Sequence, residues 1–130
     1  PILLLTLLFP SLAYGETMDD LVVRDGLYYK KYTDVPFTGK VTGEEQGSFR
    51  NGKRDGPWVG YFRSKQLFRK GYYKNGNKHG PWVHYWDNGQ LSHKGTFKDG
   101  KSVGPWVGYN RDGTVDKNWT RTFKDGVKVD

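Results

Sequence analysis

One interval governs this sequence: glycines and aromatic residues recur every 24 positions. Gly47, Gly71 and Gly95 fall in register, as do Gly52/Gly76/Gly100 and Gly56/Gly80/Gly104. Pro57/Pro81/Pro105, Trp58/Trp82/Trp106, Val59/Val83/Val107 and Tyr61/Tyr85/Tyr109 keep the same spacing. Leu67/Leu91/Val115 and Phe49/Tyr73/Phe97 complete the pattern as apolar positions. A period of roughly 20–50 residues marks a stacked architecture, because each unit is one supersecondary element that buries its apolar face only against its neighbours. Residues 47–70, 71–94 and 95–118 are therefore read as regular repeats within a single domain spanning 16–130.

The residue types say what each unit is made of. Aromatic side chains dominate the apolar set, 18 glycines are present, and after residue 15 alanine is absent and leucine sparse. Short strands joined by tight turns fit that mixture, and helices do not. The expected fold is all-β: an elongated, open antiparallel sheet of stacked β-hairpins.

Taken in order, Ile2 to Leu12 is an apolar run, followed by Ala13-Tyr14-Gly15 with small residues three and one before Glu16. This is the pattern of a secretory signal peptide over residues 1–15, too short to span a bilayer. No methionine or basic segment precedes Pro1, so the start of translation is expected upstream. The mature protein is then expected to begin near Glu16 and to be periplasmic or secreted. Residues 21–46 form a degenerate first copy. Asp25-Gly26 sits between Leu21-Val22-Val23 and Leu27-Tyr28-Tyr29, a strong hairpin signal. Gly26 to Pro36 repeats the spacing of Gly47 to Pro57, so Tyr28 corresponds to Phe49, Phe37 to Trp58 and Gly39 to Gly60.

Inside the regular units, Asp87-Asn88-Gly89 and Arg111-Asp112-Gly113 read as turns, with glycine in the left-handed position. Arg63-Ser64-Lys65 has lysine there, which predicts a looser first hairpin. Asn51-Gly52, Asn75-Gly76 and Asp99-Gly100 open the link to the next hairpin. Phe123 follows Phe97 by 26 residues instead of 24, placing a bulge or longer turn in Val115–Arg121. Residues 119–130 should supply the closing strands.

Strand side chains alternate between faces. Val59, Tyr61, Leu67, Gly71 and Tyr73 share parity and recur, which assigns them to the packed face. The expected repeat core is Trp58, Tyr61, Tyr73, Trp82, Tyr85, Phe97, Trp106 and Tyr109, with Gly71 and Gly95 letting an aromatic ring lie flat over the backbone. Phe62, Phe68, Lys70, Tyr72, His84 and Trp86 have the other parity and mostly change between units, so they are the candidate binding residues.

The unit G-x-[FY]-x-[ND]-G-x-x-x-G-P-W-x-x-Y, with a D/N-G turn and leucine following, resembles the MORN-repeat-variant family, whose bacterial members include YwqK-like proteins labelled as antitoxins. The likeness covers about residues 21–130 and includes the lead-in Leu27-Tyr28-Tyr29 and Pro36-Phe37-Thr38-Gly39-Lys40. It implies a sheet of stacked hairpins serving as a scaffold or docking surface, with links elsewhere in the family to protein assembly and acidic lipids. A leader would carry this member out of reach of a cytoplasmic toxin.

No residue pattern points to catalysis. His79, His84 and His93 have no close metal-ligand spacing, and most aspartates fall in turns. Glu44-Glu45 is a paired carboxylate in the shortened first hairpin, Ser64, Ser92 and Ser102 lack a nucleophile motif, and the glycines follow the repeat period. With no cysteine, thiolate chemistry and disulfides are excluded. No cofactor or metal is expected. The formal net charge of +7 suits acidic partners, or lysines that coat exposed strand faces and protect edges. The expected function is non-enzymatic: a scaffold for protein–protein interaction outside the cytoplasm. The alternatives are a glycan or cell-wall module using exposed aromatics, and association with acidic lipid at a membrane surface. No nucleic-acid motif appears, and a terminal strand could pair with a second copy to give a homodimer.

Overall fold

The structure, a computed structural model, describes residues 15–130; the proposed leader lies outside the described residues except for Gly15. The chain is all-β. After a 3₁₀ turn at Met18–Asp20 come β1 (Leu21–Arg24), β2 (Leu27–Lys30), β3 (Gly39–Val41), β4 (Glu45–Arg50), β5 (Lys53–Tyr61) and β6 (Leu67–Lys74). There follow β7 (Asn77–Lys78), β8 (Gly80–Tyr85), β9 (Leu91–Lys98), β10 (Lys101–Gly108), β11 (Arg121–Lys124) and β12 (Val127–Lys128). β1 and β2 form a hairpin of their own. The remaining strands form one open antiparallel sheet in the order β12-β11-β10-β9-β8-β6-β5-β4-β3, with β7 added beside β6.

Turn chemistry explains this order. Asn51-Gly52, Asn75-Gly76, Asp99-Gly100 and Asp125-Gly126 each place both central residues at positive φ, the mirror-image turn whose twist matches paired strands. The segments expected to link hairpins are thus tight hairpin turns themselves, and the sheet is a continuous meander. At the other end of the strands, Lys65 takes φ 70 where Gly89 and Gly113 take 84 and 90. Lys65 N donates to Phe62 O at 2.8 Å, matching Gly89 N to Trp86 O at 3.0 Å. The first hairpin is therefore as tight as the second, contrary to expectation, because lysine adopts the left-handed conformation that glycine supplies in the other units.

The core is a line of rings on one face. Trp58 and Trp82 are fully buried, and Phe49, Tyr73 and Trp106 nearly so. They meet edge to face in sequence: Phe49–Trp58 at 5.5 Å, Trp58–Tyr73 at 5.4 Å, Tyr73–Trp82 at 5.1 Å, Trp82–Phe97 at 6.4 Å and Phe97–Trp106 at 4.9 Å. Such pairs contribute about 0.5–1.5 kcal/mol each beyond area burial. Each indole lies on a glycine of the adjacent strand. A Cβ built at Gly47 would sit 2.1 Å from Trp58 Cε3, one at Gly71 2.1 Å from Trp82 Cδ2, and one at Gly95 2.0 Å from Trp106 Cδ2.

The face assignment drawn from parity needs correction. Trp58 pairs across from Gly71, and Gly56 from Tyr73, so tryptophan, Gly71 and Tyr73 share a face. Tyr61, Tyr85 and Tyr109 stand three positions beyond Trp58, Trp82 and Trp106, an odd step that turns them and Val59 to the opposite face. These tyrosines are half-buried there, outside the ring line. Leu67 goes with them as the partner of Tyr61.

Candidate functional site

A β-bulge in the β5–β6 hairpin and another in the β8–β9 hairpin interrupt simple alternation. Gly60 pairs with Arg69 but Tyr61 pairs with Leu67, leaving Phe68 as the extra residue. His84 pairs with His93 and Tyr85 with Leu91, leaving Ser92. A bulge bends the strand and re-aims side chains. Here Phe68 and Arg69 both reach the tryptophan face: the Phe68 ring lies 4.8 Å from Phe62 and 5.9 Å from His84, while Arg69 Nη2 is 2.6 Å from Glu45 Oε1.

At the bulge position the units differ sharply in size. Phe68 fills it in the first regular unit, Ser92 replaces it 24 residues later, and a groove of about 530 Å³ opens there. Phe62 and Phe68 form one wall, Trp86 and Trp119 stand across it, and His84, Ser92, His93 and Gly108 lie between them. Trp119 belongs to the two-residue insertion. The turn at Asp116, closed by Trp119 N to Asp116 O at 3.2 Å and Thr120 N to Asp116 O at 3.0 Å, lays the indole over Gly108. A Cβ at Gly108 would be 2.6 Å from Trp119 Cε3, so the insertion rebuilds off-register the ring-on-glycine contact of the core.

The histidines stack: His84 and His93 lie 4.2 Å apart with rings 12° from parallel, and His93 also meets Trp119 at 4.8 Å. Burial lowers the His84 pKa to about 3, with further contributions from His93, Lys78 and Arg69. Burial, and then Lys78, lowers that of His93. Both imidazoles are therefore neutral at pH 7, offering one donor and one acceptor each. Ser92 Oγ and His93 Nδ1 share a 3.1 Å hydrogen bond, whereas buried His84 Nδ1 has no hydrogen-bond partner among the described residues. The rim is charged but paired. Arg111 Nη1 donates to Asp87 Oδ1 at 2.5 Å, its guanidinium 4.9 Å from the Trp86 ring, and Trp86 Nε1 donates to Tyr109 O at 3.0 Å.

Of the six candidate binding residues, Phe62, Phe68, His84 and Trp86 come together in this groove. Lys70 and Tyr72 do not. They pair with Val59 and Pro57 on the reverse face, where Tyr72 is 44% exposed. His93, Ser92, Arg111 and Trp119 belong to the groove and were not singled out from sequence. Trp119 did carry a signal, lying within the insertion and, like Trp86, having no tryptophan 24 residues away. His79 lies elsewhere, 3.7 Å from Asp99. Among the described residues no group of three or more histidines and carboxylates is placed to hold a metal ion.

Among the described residues, fold and groove together define a hairpin-repeat protein built on one long open sheet beside a short separate hairpin, with an aromatic cleft cut into its packed face. Compared with protein-family models and with curated proteins, the sequence matches none.

Proposed function

We propose that the chain is a non-enzymatic repeat scaffold that docks another protein through this groove. The observation that carries the reading is the replacement of Phe68 by Ser92 at one repeat position, which exchanges core packing for an open cleft walled by rings. Aromatic walls, a neutral polar floor and a paired charged rim suit the anchor side chain and backbone of a peptide segment. Aromatic residues are enriched at interfaces because they bury area at small entropic cost. The MORN-repeat-variant resemblance supports the same reading. A location outside the cytoplasm is supported by the apolar run Ile2 to Leu12 followed by the small residues Ala13 and Gly15.

Selection of displayed random peptides on the folded protein tests it. The reading predicts a shared motif with an aromatic or branched apolar anchor, bound by the parent and lost in Trp86→Ala while the circular dichroism spectrum is kept. Selected peptides that bind Trp86→Ala as well as the parent would refute docking at this groove. Saturable binding of neutral oligosaccharides with no peptide selected would favour the glycan alternative.

A further inference from the structure

The cations are scattered along the sequence, yet the sheet sorts them. The residue after each core ring turns to the reverse face: Arg50 after Phe49, Lys74 after Tyr73, Lys98 after Phe97 and Lys124 after Phe123. They stand on β4, β6, β9 and β11, every second strand of the sheet and roughly 9.5 Å apart across it, and Lys53 and Lys101, the cross-strand partners of Arg50 and Lys98, add cations on the strands between. Lys70 and Lys94 form a shorter parallel row, separated by Val83, with Val59 and Val107 on its outer sides. All eight are exposed. Arg50 meets Asp55 at 3.8 Å, and the seven lysines make no ion pair among the described residues.

Cations on the tryptophan face are treated differently. Arg54 stacks on Trp58 at 5.0 Å, Lys78 lies 4.6 Å from the Trp82 ring, and Arg69 pairs with Glu45. Positive charge on that face is absorbed by rings and a carboxylate, while on the reverse face it is left open in a line. Asp99 and Asp125 stand in the turns past the end of the row.

We infer that the reverse face binds a linear anionic polysaccharide, a site separate from the groove. A line of cations open to solvent suits a polymer that carries carboxylates along its length. Half-buried Val59, Val83 and Val107, with Tyr72 nearby, offer apolar patches between lysines for the C–H faces of sugar rings. At the usual twist of about 20–25° per strand, the six steps from β4 to β11 turn this face through more than roughly 100°. A flexible polymer can follow that winding, whereas a flat bilayer meets only part of the row.

The test uses the full described domain and immobilised hyaluronate at stepped sodium chloride. Retention should weaken as salt rises, since exposed charges are screened. Lys74→Gln/Lys98→Gln/Lys124→Gln should lose about tenfold or more in affinity, whereas Lys31→Gln/Lys117→Gln/Lys128→Gln, of equal net charge, should change about twofold or less. Both variants should keep the parent circular dichroism spectrum. Equal loss in the two variants would show unspecific attraction and overturn the site. Stronger binding to phosphatidylglycerol vesicles or to a single-stranded oligonucleotide than to hyaluronate would overturn the polymer class.

Discussion

Gly71 and Trp82 show at the smallest scale why the 24-residue interval cannot drift. The indole occupies the space a Cβ would take, so Gly71→Ala must push either the ring or the strand. Overpacking of this kind costs about 1–3 kcal/mol, and the equivalent change at Gly95 should behave alike in urea unfolding. Trp82→Ala empties a fully buried site and should cost about 3–5 kcal/mol. Trp86→Ala, on a half-open wall, should cost less than half of that by the same measurement. His84 supplies a pH signature. Its pKa is lower folded than unfolded, so the unfolded chain takes up the proton first as pH falls below about 6.5. Stability present above that pH should therefore drain away towards pH 3, read as a falling Tm. His84→Asn should flatten that part of the profile, and an unchanged slope would refute burial of a neutral imidazole.

At the scale of strands and turns, the bulge separates what could be read in advance from what could not. The Asp25-Gly26 hairpin was legible because aspartate followed by glycine has few other uses between strands, whereas Asn51-Gly52, Asn75-Gly76 and Asp99-Gly100, read as links, prove to be turns of the same kind. The ring-on-glycine contacts were legible from period alone. Face assignment was not, because counting alternate residues across a hairpin assumes an unbroken ladder, and the extra residues Phe68 and Ser92 break it. That is why Phe62, Phe68 and His84 read as surface and prove to flank the core, and why Tyr61 went to the wrong side. The groove was illegible for a further reason: it arises from the difference between two units and from the off-register Trp119. Lys65 gives the test at this scale. A non-glycine side chain held in the left-handed region costs roughly 1–2 kcal/mol, partly offset when glycine loosens the unfolded chain. Lys65→Gly should accordingly raise stability by up to about 1 kcal/mol in urea unfolding.

Across the whole molecule, the last unit departs from the ring-on-glycine pattern. Arg121 stands two residues before Phe123, where Gly47, Gly71 and Gly95 precede Phe49, Tyr73 and Phe97. A side chain there denies an indole a seat on β11. Because each unit contacts mainly its neighbours, removing residues 71–94 should leave a folded protein with a shorter sheet, its thermal transition still cooperative but at lower temperature. The same logic gives the most direct test of the proposed function. Ser92→Phe restores at the bulge the residue found at Phe68 and should fill the groove with the fold intact. Peptide binding, followed by titration with a selected peptide, should then vanish while Tm stays level or rises. Unchanged affinity in a folded Ser92→Phe protein would contradict the groove as the docking surface.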